Sequence, residues 1–234
     1  MRTALLTCLF LVAAGSEAGA ATAASADDVR MAVWTMDESP GSAWMTDVSG
    51  HGHHGQIGPE VGTGLSTGYG RGYRFDRLEP DTPPARPGHL VVVADHSDLD
   101  PGDRSFAVTV RLRTTHKFGN IVQKGQATVA GGSWKMQIPN GRPTCTYRGG
   151  RGTIELISPY RINDGDWHVV RCVRLRDGVV LAIDGLRAAS REGWTGTIRN
   201  DWPVTVGGKI DCDQVDVGCD YYAGDLDWVK VEAA

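Results

Sequence analysis

From Asn163 to Gly185 the chain reads Asn-Asp-Gly-Asp-Trp-His-Val-Val-Arg-Cys-Val-Arg-Leu-Arg-Asp-Gly-Val-Val-Leu-Ala-Ile-Asp-Gly, and few folds accommodate that pattern. Alternation puts Trp167, Val169, Val173 and Leu175 on one face of a strand, with Arg171 as the exception. Asp177-Gly178 predicts a reversal there, because an Asp-Gly pair tolerates the backbone of the type I′ turn that suits strand twist. Val179, Leu181 and Ile183 alternate again, and Asp184-Gly185 supplies the next turn. The same period recurs upstream: Phe106, Val108, Val110 and Leu112 point one way, and Thr109, Arg111 and Arg113 the other. With 31 glycines and almost no helical periodicity, the chain predicts many short strands joined by tight turns. Further strands are expected at Val33–Glu38, Leu90–Val93 (an unbroken apolar run, buried on both faces), Trp134–Ile138, Thr144–Tyr147, Thr153–Ile157 and Val204–Gly208.

The opening residues carry one positive charge, a short apolar run and then small residues, so residues 1–26 read as a secretory leader, with Cys8 inside it. No later apolar run is long enough to span a membrane, which predicts a secreted, extracellular protein. Removing the leader takes away Arg2 and Glu17, one charge of each sign, so the formal net charge stays at −4. That balance argues against nucleic acid, whose affinity comes mainly from neutralising phosphates. Cys145, Cys172, Cys212 and Cys219 remain, an even count that predicts two disulfides in an exported chain. Spacing alone leaves three connectivities open, although Cys212 and Cys219 close a short loop and are the natural local pair.

The segment Asp164-Gly165-Asp166-Trp167-His168-Val169, followed by a hairpin ending at Asp184-Gly185, resembles the signature of laminin-G-like domains of the concanavalin A-like lectin/glucanase superfamily. Asp47-Val-Ser-Gly-His-Gly-His-His-Gly55 resembles a turn near the start of such domains, and Gly70–Asp76 and Asn120–Gly125 resemble two of their strands. Tyr222–Val229 is similar to the closing strand. The resemblance implies an all-β, two-layer antiparallel jelly roll over residues 29–234, and strands that bring Cys145 near Cys172. It also implies a non-catalytic binding module for carbohydrate or cell-surface glycoconjugate. The alternatives are a structural or adhesive module binding an extracellular protein, and a hydrolase with an unrecognised site.

The Glu-x-Asp-x-x-Glu pair of carboxylates used by glucanases of this fold is missing; Asp225 and Asp227 share a strand with no glutamate beside them. His168, beside the tryptophan, reads as a strand residue hydrogen-bonded within the sheet. The family often holds calcium, which needs several oxygen donors. Two groups offer them: Asp211, Asp213, Asp216 and Asp220 in one acidic loop, and Asp37, Asp47 and Asp227, which the first and last strands would bring together. His51, His53 and His54 suggest zinc at first sight, but no cysteine or carboxylate pattern completes a tetrahedral set, and the turn that resembles the family's explains the glycines and His54 without a metal. For stacking against a sugar ring, Trp44, Trp194 and Trp202 lie in loops and are the better platforms, joined by Tyr221 and Tyr222; Trp34, Trp134, Trp167 and Trp228 lie in strands and read as core. Arg142, Arg148, Arg151, Arg161, Arg171, Arg174 and Arg176 crowd one stretch, either as an anionic-ligand patch or as an ordinary solvated sheet face.

Overall fold

The computed structural model describes residues 29–78, 86–211 and 220–234. Sixteen strands make it up: β1 (Val29–Trp34), β2 (Trp44–Met45), β3 (Gly55–Ile57), β4 (Gly62–Ser66), β5 (Arg71–Phe75), β6 (Val91–Val93), β7 (Phe106–Arg113) and β8 (Asn120–Lys124) form the first half. The second half is β9 (Ser133–Gln137), β10 (Thr144–Gly149), β11 (Gly152–Ile157), β12 (His168–Arg174), β13 (Gly178–Ile183), β14 (Leu186–Glu192), β15 (Val204–Val206) and β16 (Gly224–Ala233). One sheet runs β14-β13-β12-β7-β16-β5-β4, with β1 also paired to β16; the other runs β11-β10-β9-β8-β15-β6-β3-β2. Every pairing between these strands is antiparallel. The two layers face each other across one apolar core, to which the first sheet gives Trp34, Phe75, Phe106, Val110 and Leu181 and the second gives Val91, Val122, Trp134, Tyr147 and Val206. This is the all-β jelly roll expected.

Local sequence explains most strand ends. β1 stops at Trp34, earlier than expected, and Met36 takes a left-handed φ of 55° that breaks the strand. β7 alternates as read, with Phe106, Val108, Val110 and Leu112 all buried. On β12 the core face is Val170, Cys172 and Arg174, so the face holding Trp167, Val169, Arg171 and Val173 is the outer one. Arg171 is therefore no exception: it reaches Thr109 and Glu232 on that outer face. Val92 of β6 is only half-buried, so that strand is not enclosed on both faces. The type I′ geometry falls at Asp184-Gly185, with φ of 51° and 80° between paired Ile183 and Leu186. Asp177-Gly178 ends the preceding hairpin differently, through a Leu175 N–H to Gly178 carbonyl bond of 2.7 Å with no positive φ on either residue.

Three edge strands, β2, β4 and β14, lie where the sequence predicted none; β14 reads Leu-Arg-Ala-Ala-Ser-Arg-Glu and has no buried residue. An edge strand packs too little apolar surface to leave an alternating signal. Beyond it, Ile198 makes a single bridge to Gly102.

A disulfide joins Cys145 on β10 to Cys172 on β12, so it ties one sheet to the other through the core, with Cα atoms 5.8 Å apart. Cys212 and Cys219 lie outside the described residues. Closing the 27-residue separation restricts the unfolded chain by about 3.5 kcal/mol in the loop-entropy account. Replacing both Cys145 and Cys172 with Ala is expected to lower unfolding stability by roughly 2–5 kcal/mol, read in urea melts.

Candidate functional site

The outer face of the first sheet carries an ordered row of charges. The register sets Asp225 of β16 opposite Arg74 of β5 on one side and Arg113 of β7 on the other. Arg74 donates from Nε to Asp225 at 2.8 Å and from Nη2 at 3.1 Å, while Arg113 Nε donates at 2.7 Å. The Arg74 guanidinium is held more firmly protonated than usual by that carboxylate. One step along, a β-bulge between Leu226 and Trp228 sets Asp227 against Arg111, which donates to it. Aromatic rings interleave with the arginines. The Arg111 guanidinium sits 4.5 Å from the Trp167 ring and 5.2 Å from the Tyr69 ring, and Arg113 lies 4.9 Å from Trp167.

Beside this row opens a polar cleft of about 340 Å³, lined by Arg74, Asp76, Arg77, Arg113, Thr114, Thr115, His116, Gly165, Gly224 and Asp225 among others. Gly224 is required at its floor: its φ is 148°, and a Cβ there would lie 2.5 Å from the Arg113 carbonyl oxygen. A guanidinium has five N–H donors. The three bonds to Asp225 therefore leave donors on both Arg74 and Arg113 for a hydroxyl or an anion at the cleft. Tyr69, 90% exposed at the β4–β5 turn, presents its ring beside Arg111, at the other end of the row.

His168 is engaged on both ring nitrogens. Nδ1 lies 2.7 Å from Asp184 and Nε2 3.2 Å from Asp164, and Asp184 also accepts the Val169 N–H at 2.7 Å. Burial alone would lower the imidazole pKa, but the two aspartates outweigh it and the net shift is upward. The Asp164 carboxyl is lowered, chiefly by the Asp166 N–H it accepts and then by His168 against some desolvation. His168 is thus a clamp between the start of the signature and its closing turn.

The residues expected to bind a ligand are scattered. Tyr222 is wholly buried, with its hydroxyl on the Arg113 carbonyl, and offers no platform. Trp194 is half-buried with the Arg174 guanidinium 4.2 Å from its ring; Trp202 is half-buried; the Tyr221 hydroxyl accepts the Arg86 N–H. Trp44, 62% exposed on edge strand β2, does present its ring. Trp34 and Trp134 are core, but Trp167 and Trp228 are half-buried on the outer face, Trp228 because the bulge turns it outward beneath Lys230. Of the arginine run, Arg174 is fully buried, Arg148 caps the Gln126 and Val129 carbonyls, and Arg171 pairs with Glu232. No single arginine face forms. The aromatic–arginine row was hidden because its members come from four strands or turns far apart in sequence.

The aspartates expected to hold calcium are not assembled either. Asp47 is spent on the Val33, Ser49 and His53 N–H groups, Asp227 on Arg111, and Asp37 on the Arg71 N–H. None belongs to a cluster of metal-capable side chains among the described residues. In the acidic loop, Asp213 and Asp216 lie outside the described residues, Asp211 is exposed, and Asp220 is paired with Lys209 at 2.7 Å. Among the described residues, these carboxylates are not drawn together as one set of donors.

The laminin G domain model of known sequences matches residues 112–231. The chain belongs to the laminin G domain family. Among solved structures, this laminin G domain is similar to domains LG4-5 of the mouse laminin alpha1 chain, at 18% identity and TM-score 0.53 over 66% of this chain and 41% of that one. It is also similar to the binding domain of Paraclostridial Mosquitocidal Protein 1, at 11% identity and TM-score 0.60 over 88% and 47% of the two chains. Domain 4 of AbnA, a GH43 extracellular arabinanase from Geobacillus stearothermophilus, matches at 12% identity and TM-score 0.60 over 88% and 93%. The chain spans less than half the length of the laminin and toxin fragments it matches. Such identities speak for the fold and, with the family, for a binding module. No helix among the described residues is long and apolar enough to cross a membrane.

The raised His168 pKa has a stability consequence. The clamp's contribution is complete below the unfolded value of 6.5 and is lost as pH rises through the higher folded value. His53, lowered chiefly by burial and then by His96, has the opposite sign and costs stability as pH falls below 6.5. In chemical unfolding at a series of pH values, the stability gap between wild type and His168→Gln should therefore be widest near pH 6 and narrow toward pH 8. A gap that does not change with pH would remove the ionic clamp.

Proposed function

We propose that this chain is an extracellular, non-catalytic binding module whose ligand is carbohydrate, taken on the outer face of the first sheet. The observation that carries this reading is the exposed Tyr69 ring at one end of a stack that runs through Arg111 and Trp167 to Arg113, which itself lines the cleft. A pyranose or furanose has an apolar C–H face that stacks on an aromatic ring, and hydroxyls that pair with charged side chains at its rim. Arg74, Arg113 and Asp225 supply both donors and acceptors at that rim, already held rigid by one another. The arabinanase domain of like fold was solved in complex with arabinotriose, which supports a sugar on this scaffold without placing it. A disulfide through the core supports an oxidising, extracellular setting. Both Asp225 and Asp227 are occupied by guanidinium groups, which supports binding over hydrolysis.

The purified chain is expected to give signal on a glycan array that includes arabinan and pyranose oligosaccharides. Removing the Tyr69 ring forfeits about 1.5–3 kcal/mol of buried apolar contact, so Tyr69→Ala should weaken affinity at least about tenfold, while Trp44→Ala leaves it unchanged. Signal lost on Trp44→Ala instead would move the site to edge strand β2. A chain that binds no glycan but captures an extracellular protein would favour the adhesive reading.

A further inference from the structure

Two loops that are distant in sequence converge on one carboxylate. In the turn after β2, His51 Nδ1 lies 3.6 Å and His53 Nε2 lies 3.4 Å from Oδ2 of Asp98, which sits in the 3-10 turn Ser97–Leu99. One donor atom from each of the three residues falls within 4.8 Å of the others, the only such group among the described residues. We propose that His51, His53 and Asp98 form a binding site for a divalent late transition metal of the zinc class, with a coordination position open to an outside ligand.

The spacing suits that ion. Zinc–nitrogen and zinc–oxygen bonds of about 2.0–2.2 Å imply ligand-to-ligand edges of roughly 3.3–3.6 Å in a tetrahedron. Two imidazoles and one carboxylate suit zinc, whereas calcium asks for six or more oxygens. His53 Nε2 is enclosed and, although 3.4 Å from Asp98, makes no hydrogen bond of good geometry, an arrangement that costs stability unless a better-placed partner meets it.

The frame around the donors is fixed. The His53 N–H is held by Asp47 at 3.0 Å and its carbonyl by the buried Trp34 indole at 2.7 Å. Asp98 is oriented through its own N–H, which donates to His96 Nδ1 at 3.2 Å, and the His96 ring packs 4.7 Å from His53. On either side of this turn, Lys124 grips Asp95 and Asp100, each at 2.7 Å. His54, the third histidine of the motif, faces away and accepts the Asp47 N–H. The set therefore needs a carboxylate 45 positions beyond His53, which sequence proximity could not supply.

The test uses the full chain stripped with chelator, then titrated with cobalt(II) as the visible probe and zinc(II) by calorimetry. One equivalent should bind, cobalt should develop the intense visible bands of a four- or five-coordinate ion, and zinc should raise the melting temperature, because only the folded chain assembles the donors. Calcium should do neither. His51→Ala and Asp98→Asn should each weaken zinc at least about tenfold; His51 is partly exposed, so that variant decides the matter should Asp98→Asn fail to fold. No cobalt band and no zinc shift up to millimolar metal would overturn the proposal, as would undiminished binding in His51→Ala.

Discussion

Two cations with no solvent contact hold the end of this sandwich together, and much else depends on them. Lys124, from the middle of the second sheet, sends its ammonium to Asp95, Asp100 and the Asn200 carbonyl. Arg174, from the inner face of the first sheet, reaches the Gly102, Arg104 and Gly196 carbonyls and the Thr195 hydroxyl, with Trp194 stacked upon it. Both therefore grip the same two loops, 95–104 and 194–200, which also bond to each other through Gly102 and Ile198. A buried charge is tolerated only where every donor is met. Each loop is thus locked to one sheet by Lys124 and to the other by Arg174. Breaking the Lys124–Asp100 pair by removing Asp100 typically costs about 3–5 kcal/mol, because the ammonium is left stranded in a dry interior.

That grip also separates what is built for stability from what is left for recognition. The inner faces use their charges on backbone carbonyls and loop carboxylates, so nothing there is available to a ligand. On the outer face of the first sheet the same residue types meet across strands at the surface, where Arg74 and Arg113 share one carboxylate and keep donors in reserve. The bulge in β16 makes the arrangement possible, since it brings Asp227 and Trp228 to the outer side opposite Arg111.

How much of this was legible depends on whether the signal was local. The central hairpin, the alternation of β7 and the signature around Trp167 are written in neighbouring residues, and they carried the fold and its family. The edge strands β2, β4 and β14 were not legible, because an edge buries so little that polar side chains fill it. Trp167 and Trp228 misled for a related reason: a tryptophan in a strand is as apolar outward as inward, and only register shows which. Tyr222 and Trp194 illustrate the converse, ring positions in loops that folding turns into plugs, one beneath Arg113 and one beneath Arg174.

Long-range pairing explains the candidate sites too. Arg111 and Arg113 could be placed on an outer face from alternation alone, but their partners Asp225, Asp227 and Arg74 come from strands that precede or follow by 37 to 116 residues. The crowded arginines at 142–176 drew attention because they are close in sequence, yet the fold distributes them between two sheets and the core. Proximity in the chain thus overstated one site and hid another. An antiparallel sandwich makes that outcome general, since neighbours across a sheet are set by topology, and a binding face made from them has no contiguous sequence to betray it.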